Sequence, residues 1–496
     1  MMLKRWGLRA LFAAAAAAAW LGVAAPPAQA GEFDGVTVNI MTQTGAIQEP
    51  LQRRAPDFEK LTGAKINIIA VPFSDLYQKV LTDWASGTNS VDAAVFAPQW
   101  MVDYVAGGYL EDLTDRIKHD PKIDWQGIAP FFRNFSANYG GRTYLIPMDG
   151  DFHMLYYRTD VFKKYGLKPP ATWDDYLADA KALNGKDFNG DGTKDYGSCI
   201  AKKRNAQSYW FIMDIAGSMI QSKGTAQGTF FDTRNMKPLV DNEAFRRALE
   251  ILKETGKYGP PDELNLDVSD TRPLFVSGKC ALNLDWGDVG VLAIDPKTSK
   301  VIDKTGAVIT PGSKEVLNWD TGKLEACNAT NCPYAIDGVN HSPYAAFGGW
   351  SGGINVKAKP RVKDAAYAFF SYMSQPAQSD VDVTIGKTGF NPYRTSQFTY
   401  NDVWKDSGMS KVAGDAYLGA ISDSLHSPNM ILDLRIPQNQ KYQQVVLDEA
   451  VSRFLAGEID VEATIKAIDG GWNDLNEQIG TESQLKYYKG TLGIQH

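Results

Sequence analysis

The sequence has few of the residues on which catalytic metal sites and nucleophilic centres depend. Its 496 residues include five histidines and four cysteines, and no two histidines have the H-x-x-x-H spacing of a zinc site. The chain contains neither a Walker A loop nor a glycine-rich dinucleotide fingerprint. With a net charge of −7, it also lacks the basic excess typical of nucleic-acid-binding proteins. These absences argue against a zinc enzyme, a nucleotide-binding enzyme and a nucleic-acid partner.

Long apolar runs are also absent after residue 30, where no stretch approaches the ~18 consecutive apolar residues of a membrane-spanning helix. The composition is that of a globular protein, with 44% hydrophobic and 22% charged residues. The length fits roughly three domains of about 150 residues, or two large lobes.

The N-terminus has the three parts of a secretory signal peptide. Lys4, Arg5 and Arg9 give a positive start, residues 10–25 form an apolar run, and residues 28–30 (AQA) form a small-x-small cleavage site. The pattern predicts that residues 1–30 are removed and that the protein is periplasmic. An uncleaved membrane anchor is the alternative, but the run is shorter than the ~20 residues that span a bilayer.

An oxidising compartment permits disulfides, and the chain offers four cysteines for them. Cys327 and Cys332 lie close together in a polar loop, which favours a bond between them and leaves Cys199 with Cys280. Four cysteines allow three connectivities, and the spacing favours this one without excluding the other two.

Hydrophobic periodicity predicts an α/β fold. Residues 36–96 alternate between strand and helix patterns in a βαβαβ order, which is typical of a mostly parallel sheet covered by helices. Residues 291–345 are rich in Gly, Pro, Asn, Thr and Lys and are interpreted as an insertion with short strands. Regular helices are predicted again at 362–373, 443–455 and 461–476.

An acidic loop has the ligand spacing of an EF-hand calcium loop. Oxygen-bearing side chains stand at loop positions 1, 3, 5, 7 and 9, with glycine at position 6: Asp187, Asn189, Asp191, Thr193 and Asp195. Position 12 is a serine where an EF-hand has glutamate. The spacing predicts a structural Ca²⁺ site, and the alternative is an Asx-rich turn without metal.

Two patterns point to hydrolases. Residues 349–353 (GWSGG) match the G-x-S-x-G nucleophile elbow around Ser351, but the following segment has the pattern of a strand where the elbow needs a helix. Asp149 and Asp151 form a carboxylate pair of the kind used in glycoside hydrolysis. Residues two apart on one segment do not obviously straddle a bond, so binding of hydroxyl groups is the favoured interpretation.

Several segments together resemble the extracellular solute-binding proteins of bacterial ABC sugar importers, of the maltose- and multiple-sugar-binding type (family 1). The most diagnostic is 139–151 (YGGRTYLIPMDGD), which is similar to the first interlobe crossover of that family. The others follow in the same order along the chain: 58–63, 91–96, 107–113, 155–160, 169–175, 278–282 before Trp286, 348–354, and 435–437 with Tyr442.

The resemblance implies a two-lobed periplasmic-binding-protein fold, with crossover hinge strands and a ligand cleft between the lobes. The expected N-terminal lobe is 31–150 with 350–400, and the expected C-terminal lobe is 151–349 with 401–496. The implied function is to capture a carbohydrate or polyol by lobe closure and deliver it to an ABC permease. The resemblance implies a monomer without catalytic activity or catalytic cofactor.

Carried over residue by residue, the resemblance also gives a set of ligand contacts. Aromatic rings cover the apolar faces of a sugar, while carboxylates and amides accept its hydroxyl hydrogens. Arg435 and Arg394 leave open a sugar acid or another anion as ligand, and for each tryptophan a core position is the alternative. The ligand-binding set is Gln43, Gln99, Trp100, Asp149, Asp151, Trp286, Asp288, Trp350 and Arg435.

Overall fold

A computed structural model describes residues 31–494, so the predicted signal peptide lies outside the described residues. The described chain contains two main sheets and three two-stranded ribbons. The strands are β1 Thr37–Gln43, β2 Lys65–Val71, β3 Ala93–Phe96, β4 Asn138–Tyr139, β5 Arg142–Thr143, β6 Leu145–Pro147, β7 Met154–Arg158, β8 Tyr196–Cys199, β9 Cys280–Asp285, β10 Thr305–Val308, β11 Glu315–Asn318, β12 Lys323–Ala326, β13 Tyr344–Ala345, β14 Ser351–Ile354 and β15 Ile431–Leu432.

The first sheet has the order β2-β1-β3-β14-β6. Strands β1, β2 and β3 are parallel, as the βαβαβ pattern predicts, because helices cross over between them. Strand β14 comes from far along the chain and inserts antiparallel between β3 and β6. Side chains of β3 are buried along the whole strand, as expected for a strand covered on both faces.

The second sheet has the order β10-β7-β9-β8. Strand β9 pairs antiparallel with β7 and parallel with β8, and all six of its residues are buried. Its edge strand β10 lies within 291–345, so this segment contributes to the sheet as well as forming surface ribbons. The Cys199–Cys280 disulfide joins β8 to β9, and Cys327 bonds to Cys332 in the ribbon region, which is the pairing that the spacing favoured.

Helices cover both sheets. The α-helices are α1 Gln48–Thr62, α2 Phe73–Ala85, α3 Met101–Ala106, α4 Thr114–Lys118, α5 Thr159–Tyr165, α6 Trp173–Leu183, α7 Ser208–Ile220, α8 Glu243–Thr255, α9 Val268–Val276, α10 Asp288–Leu292, α11 Pro360–Ser374, α12 Pro376–Asp382, α13 Asp402–Asp406, α14 Lys411–His426, α15 Asp448–Leu455, α16 Val461–Ile479 and α17 Thr481–Thr491. Among the described residues, no helix is both long and apolar enough to cross a bilayer.

Shorter helical turns connect these elements. The 3₁₀ turns are Pro98–Trp100, Pro121–Ile123, Trp125–Gly127, Thr225–Gln227, Gly256–Tyr258, Glu263–Asn265, Gly386–Thr388 and Thr395–Phe398. Two segments are π-helical, Phe132–Ser136 and Lys441–Leu447. The helix predicted over 443–455 is therefore α-helical only from Asp448, the first residue of α15.

The chain crosses between the two sheets more than once. Residues 148–153 connect β6 of the first sheet to β7 of the second, and the segment between β13 and β14 brings the chain back. This arrangement confirms the predicted two-lobed α/β architecture with crossover segments. The predicted ligand residues Asp149, Asp151 and Trp350 lie in these crossovers.

Candidate functional site

A cavity with an empty volume of about 510 Å³ lies between the two sheets. Residues of both lobes line it, because β1 and α2 contribute from the first lobe while α7, α9 and the turn after β9 contribute from the second. Its aromatic lining is Phe73, Trp210, Trp286, Phe347 and Trp350, and its polar lining is Gln43, Asp151, Gln207, Arg272 and Asp288. A mostly apolar cavity with a few converging polar groups is the usual form of a small-molecule site.

The aromatic side chains pack against one another as well as lining the cavity. The Trp210 and Trp286 rings meet edge to face with centroids 5.4 Å apart, and Phe347 lies 4.7 Å from Trp350. Phe73 of the first lobe lies 6.1 Å from Trp210 of the second. Trp286 Nε1 donates to the backbone oxygen of Ala346 at 3.0 Å. These contacts fix the orientation of each ring, which limits the entropy lost when a ligand packs on it.

The carboxylate of Asp433 holds two of these rings in place. Its Oδ2 accepts from Trp210 Nε1 at 2.7 Å and from the backbone N–H of Phe347 at 2.9 Å. Its Oδ1 accepts from the Tyr344 hydroxyl and from Gln443 Nε2, at 2.9 and 3.2 Å. Burial raises the pKa of Asp433, and these donors oppose that rise because they stabilise the charged form.

The backbone after β13 is unusual. Phe347 has φ 75°, in the left-handed region that side chains rarely adopt, and Gly348 and Gly349 follow with φ 79° and 94°. A Cβ on Gly349 would lie 2.1 Å from the backbone oxygen of Asp149, so only glycine fits at this crossing of two crossover segments. The bend directs Phe347 and Trp350 towards the same cavity.

Two carboxylates come from the crossover between β6 and β7. Asp149 is buried and accepts hydrogen bonds from the backbone N–H groups of Asn391 and Trp350, at 2.6 and 3.1 Å. Asp151 lines the cavity and accepts from Asn391 Nδ2 at 3.2 Å. Asp149 therefore positions the crossover segments, whereas Asp151 is placed to contact a ligand.

Arg272 of α9 brings a positive charge to the same cavity. It donates to Asp285 Oδ1 from both Nε and Nη2, at 3.0 and 2.8 Å, and its Nη1 lies 2.9 Å from Asp288 Oδ1. The pKa of Arg272 is raised because the attraction of Asp285 and Asp288 exceeds the opposing effect of burial. Arg272 therefore stays charged and orients the Asp288 carboxylate at the cavity wall.

Burial raises the pKa of both Asp149 and Asp151. The charges of Asp149 and Asp288 and a hydrogen bond with Asp149 raise the pKa of Asp151 further, whereas that hydrogen bond lowers the pKa of Asp149. The nearest opposing charge, that of Arg272, lowers the pKa of Asp151 only in part. Negative charge at this end of the cavity is therefore electrostatically costly without a bound partner.

The structure brings together five of the nine predicted ligand residues: Gln43, Asp151, Trp286, Asp288 and Trp350 line the cavity. Three others stand behind the lining. Asp149 anchors the crossovers, the buried ring of Trp100 lies 5.7 Å from that of Phe73, and Gln99 is buried next to it in the same turn.

The two arginines considered for an anionic ligand lie outside the cavity. Arg435 packs its guanidinium 4.4 Å from the centre of the Phe135 ring and donates to the backbone oxygens of Phe135 and Asn138. Arg394 is buried and pairs with Asp124 Oδ2 at 2.8 Å. Both stabilise the fold at places that the cavity does not reach.

Sequence reasoning missed Phe73, Gln207, Trp210, Arg272 and Phe347 as lining residues. For Phe347, its position next to the glycine-rich segment 348–353 was a usable signal. For Trp210 and Arg272 the sequence offered no such signal, because each lies within a helix and reaches the cavity only through lobe packing.

The acidic loop at 187–195 surrounds a lysine. Lys279 Nζ lies 2.5 Å from Asp191 Oδ2 and 3.2 Å from Asp195 Oδ1, and it also donates to Thr193. Both oxygens of Asp187 accept backbone N–H groups, from Gly190 and Gly192. Within residues 31–494, no three His, Cys, Asp or Glu side chains converge as metal ligands would. In this arrangement the Lys279 ammonium group occupies the carboxylates of Asp191 and Asp195.

The G-x-S-x-G segment does not form a nucleophile elbow. Ser351 begins strand β14, pairs with Phe96 and Pro147 on either side, and is fully buried. Its hydroxyl has no hydrogen-bond partner among the described residues. A serine without a base and inside a central strand does not act as a nucleophile, so the segment serves the crossover instead.

We predict that Asp433→Asn loosens the aromatic wall. An amide has one acceptor oxygen, so either the donors of Trp210 and Phe347 or those of Tyr344 and Gln443 lose their acceptor. The free energy of unfolding is expected to fall by about 1–3 kcal/mol. Urea unfolding followed by tryptophan fluorescence measures this loss. The control is Asp474→Asn, at an exposed position of α16. Equal stability of the two variants would contradict the role given to Asp433.

Comparison with known proteins agrees with this geometry. Residues 41–380 match the family model of bacterial extracellular solute-binding proteins. A putative binding protein of Brucella abortus is 32% identical over 170 residues, which cover 33% of this chain and 39% of that relative. The chain thus aligns with well under half of that relative's length. The mannitol-binding protein of Pseudomonas aeruginosa is 24% identical over 74% of this chain and 76% of its own length.

A solved structure shows the same fold. The ABC transporter solute-binding protein of Agrobacterium radiobacter K84, in complex with ribitol, superposes with a TM-score of 0.73 at 23% identity and covers 89% of this chain and 99% of its own. The family model spans well over half of the chain, and the two lobes enclose a cavity as the resemblance implied. The chain belongs to the bacterial extracellular solute-binding proteins.

Proposed function

We propose that this chain is the periplasmic substrate-binding component of an ABC importer. It captures a carbohydrate or polyol by closing its two lobes and delivers the ligand to the membrane permease. The observation that carries the proposal is the cavity between the lobes, which is lined by packed aromatic rings and by Asp151, Asp288, Gln43 and Gln207. A family member that binds mannitol and a fold neighbour in complex with ribitol support the same class of ligand.

The chemistry of the lining suits a polyhydroxylated molecule. Indole and phenyl rings cover the apolar C–H faces of such a ligand, and carboxylate and amide oxygens accept hydrogen bonds from its hydroxyl groups. The space that the lining side chains leave free between the lobes is small. We therefore expect a single sugar or alditol in preference to a long oligosaccharide.

Lobe closure is the step that produces affinity in this proposal. We infer that 31–150 and 350–400 form one lobe and that 151–349 and 401–496 form the other. The membership of β1, β2, β3, β6 and β14 in one sheet, and of β7 to β10 in the second, supports this division. A ligand that contacts both lobes favours the closed state through its differential contacts.

Location and partners follow from the same proposal. We infer that residues 1–30 direct export and are then removed, since they carry the charged start, apolar run and cleavage site of a signal peptide. The mature protein acts as a monomer that docks on the transmembrane subunits of its permease. Its relatives are binding proteins, and we propose that this chain likewise catalyses no reaction.

A thermal-shift screen tests the proposed function. Mature protein is melted in the presence of alditols, neutral sugars and sugar acids. A ligand that binds only the folded state stabilises it by about 2.7 kcal/mol at one hundred times its Kd, so a hit raises the Tm. We expect a hit among the alditols or sugars, and none among the sugar acids.

The matched variants are Trp286→Ala, which removes a cavity ring, and Trp125→Ala, which removes a half-buried ring outside the cavity. Only Trp286→Ala is expected to lose the rise in Tm that the ligand produces. If the folded protein responds to no carbohydrate or alditol, the proposed function is wrong.

Calcium binding by the acidic loop stays a prediction. Since Lys279 pairs with Asp191 and Asp195, Ca²⁺ has to displace its ammonium group to reach these oxygens. We therefore expect Lys279→Met to increase the Tm rise produced by millimolar Ca²⁺. The control is Lys194→Met, at an exposed lysine of the same loop. Absence of a calcium response in the wild type and in both variants would contradict the prediction.

A further inference from the structure

The ligand cavity carries more negative than positive charge. Three carboxylates, those of Asp151, Asp285 and Asp288, act on the guanidinium of Arg272, and Asp149 acts in turn on Asp151. Arg272 is fully engaged with Asp285 and Asp288. Among the described residues, no lysine, arginine or histidine forms an ion pair with Asp149 or Asp151.

Asp151 is the carboxylate that a ligand can reach. It is 5% exposed and lines the cavity, whereas Asp149 is 0% exposed and accepts two backbone N–H groups. Buried charges in proteins are normally paired, because an unpaired one loses its hydration without compensation. Asp151 has no cationic partner and shares a hydrogen bond with Asp149, so this pair holds a proton unless a positive charge arrives with the ligand.

The aromatic lining favours a cation for an independent reason. The rings of Trp210, Trp286, Phe347 and Trp350 lie around the same space, and each is at most 7% exposed. The faces of indole and phenyl rings attract ammonium groups, most strongly where water is excluded. Gln207 Oε1 is buried without a hydrogen-bond partner in the described chain, and it offers an acceptor for a ligand hydroxyl or ammonium group.

We propose that the cavity selects a polyhydroxylated ligand with one protonated amine, an amino sugar or an amino alditol, whose ammonium group pairs with Asp151. This inference rests on the proposed function and narrows its ligand class. A neutral polyol offers Asp151 no charge partner, and a sugar acid brings a further negative charge.

The pH dependence of binding follows from the groups around Asp151. Asp149 on the same segment and Asp288 on α10 face it with negative charge, Arg272 on α9 with positive charge, and Tyr417 on α14 with a phenol. Burial and the two carboxylates raise the pKa of Asp151, so its proton has to leave before it pairs with an ammonium group. Affinity for the amine should therefore rise with increasing pH, while affinity for the neutral counterpart does not.

Matched ligand pairs test the proposal by titration calorimetry. The probes are D-mannitol with 1-amino-1-deoxy-D-mannitol, and D-glucitol with 1-amino-1-deoxy-D-glucitol, so that each pair differs by one hydroxyl replaced by one ammonium group. At pH 8 we expect the amine of at least one pair to bind about tenfold tighter or more, the effect of one charge-assisted hydrogen bond. The wild-type comparison needs no variant to fold.

Asp151→Asn keeps the size of the side chain and removes its charge. We expect it to abolish the preference for the amine and the rise in affinity with pH, while Asp474→Asn on the exposed face of α16 preserves both. If the neutral alditol binds equally well or better in both pairs, the inference fails and the proposed function stands. If neither member of either pair binds, the inference also fails, and the wider thermal screen decides the proposed function separately.

Discussion

The hydrogen bonds of the Asp433 carboxylate hold in place the part of the cavity wall that the second lobe contributes. It accepts hydrogen bonds from Trp210 of α7, from Tyr344 of β13 and from the backbone of Phe347 in the returning crossover. Trp210 lies 223 residues from Asp433 in the sequence, and Tyr344 and Phe347 lie 89 and 86 residues from it, so one buried carboxylate joins distant parts of the chain. Such a centre is costly to bury and stable only when fully hydrogen-bonded, so its geometry is sharply defined.

A second constraint is the crossing of the connecting segments. The backbone oxygen of Asp149 leaves no room for a Cβ on Gly349, and the Asp149 carboxylate binds the N–H groups of Trp350 and Asn391. Asp151 and Trp350 thereby reach the cavity from segments that connect the lobes. Contacts with the ligand and the relative position of the lobes are therefore mechanically linked, which is the requirement for capture by closure.

Regular elements with strong local signals could be predicted from the sequence. Helix α16 begins at its predicted residue, Val461, because the Asp460 side chain caps it and accepts the backbone N–H of Ala463. The segment 443–455 is helical as predicted, but its first part, within Lys441–Leu447, is a π-helix, which hydrophobic periodicity does not distinguish from an α-helix. Short strands were predicted within 291–345, but the sequence did not indicate that β10 joins the second sheet, since its pairing with β7 is a long-range contact.

The residues of the candidate site differ in the same way: those with a local sequence signal were predicted, and those without one were missed. Residues next to recognisable segments, such as Asp151 and Trp350, were found because the chain itself carries them to the crossovers. Arg272 was missed because its partners lie thirteen and sixteen residues away and meet it only across packed elements. Arg435 was predicted as a ligand contact on its segment alone, and the structure places it against Phe135, outside the cavity.

The central claim is that the cavity between the lobes is the ligand site. The most direct measurement is a crystal structure of the mature protein with its strongest-binding sugar, alditol or amino derivative. The account predicts ligand density between the lobes, with a ring of Trp286 or Trp350 against its carbon face and a polar group hydrogen-bonded to Asp151. Density at another place on the surface, with this cavity empty, would contradict it.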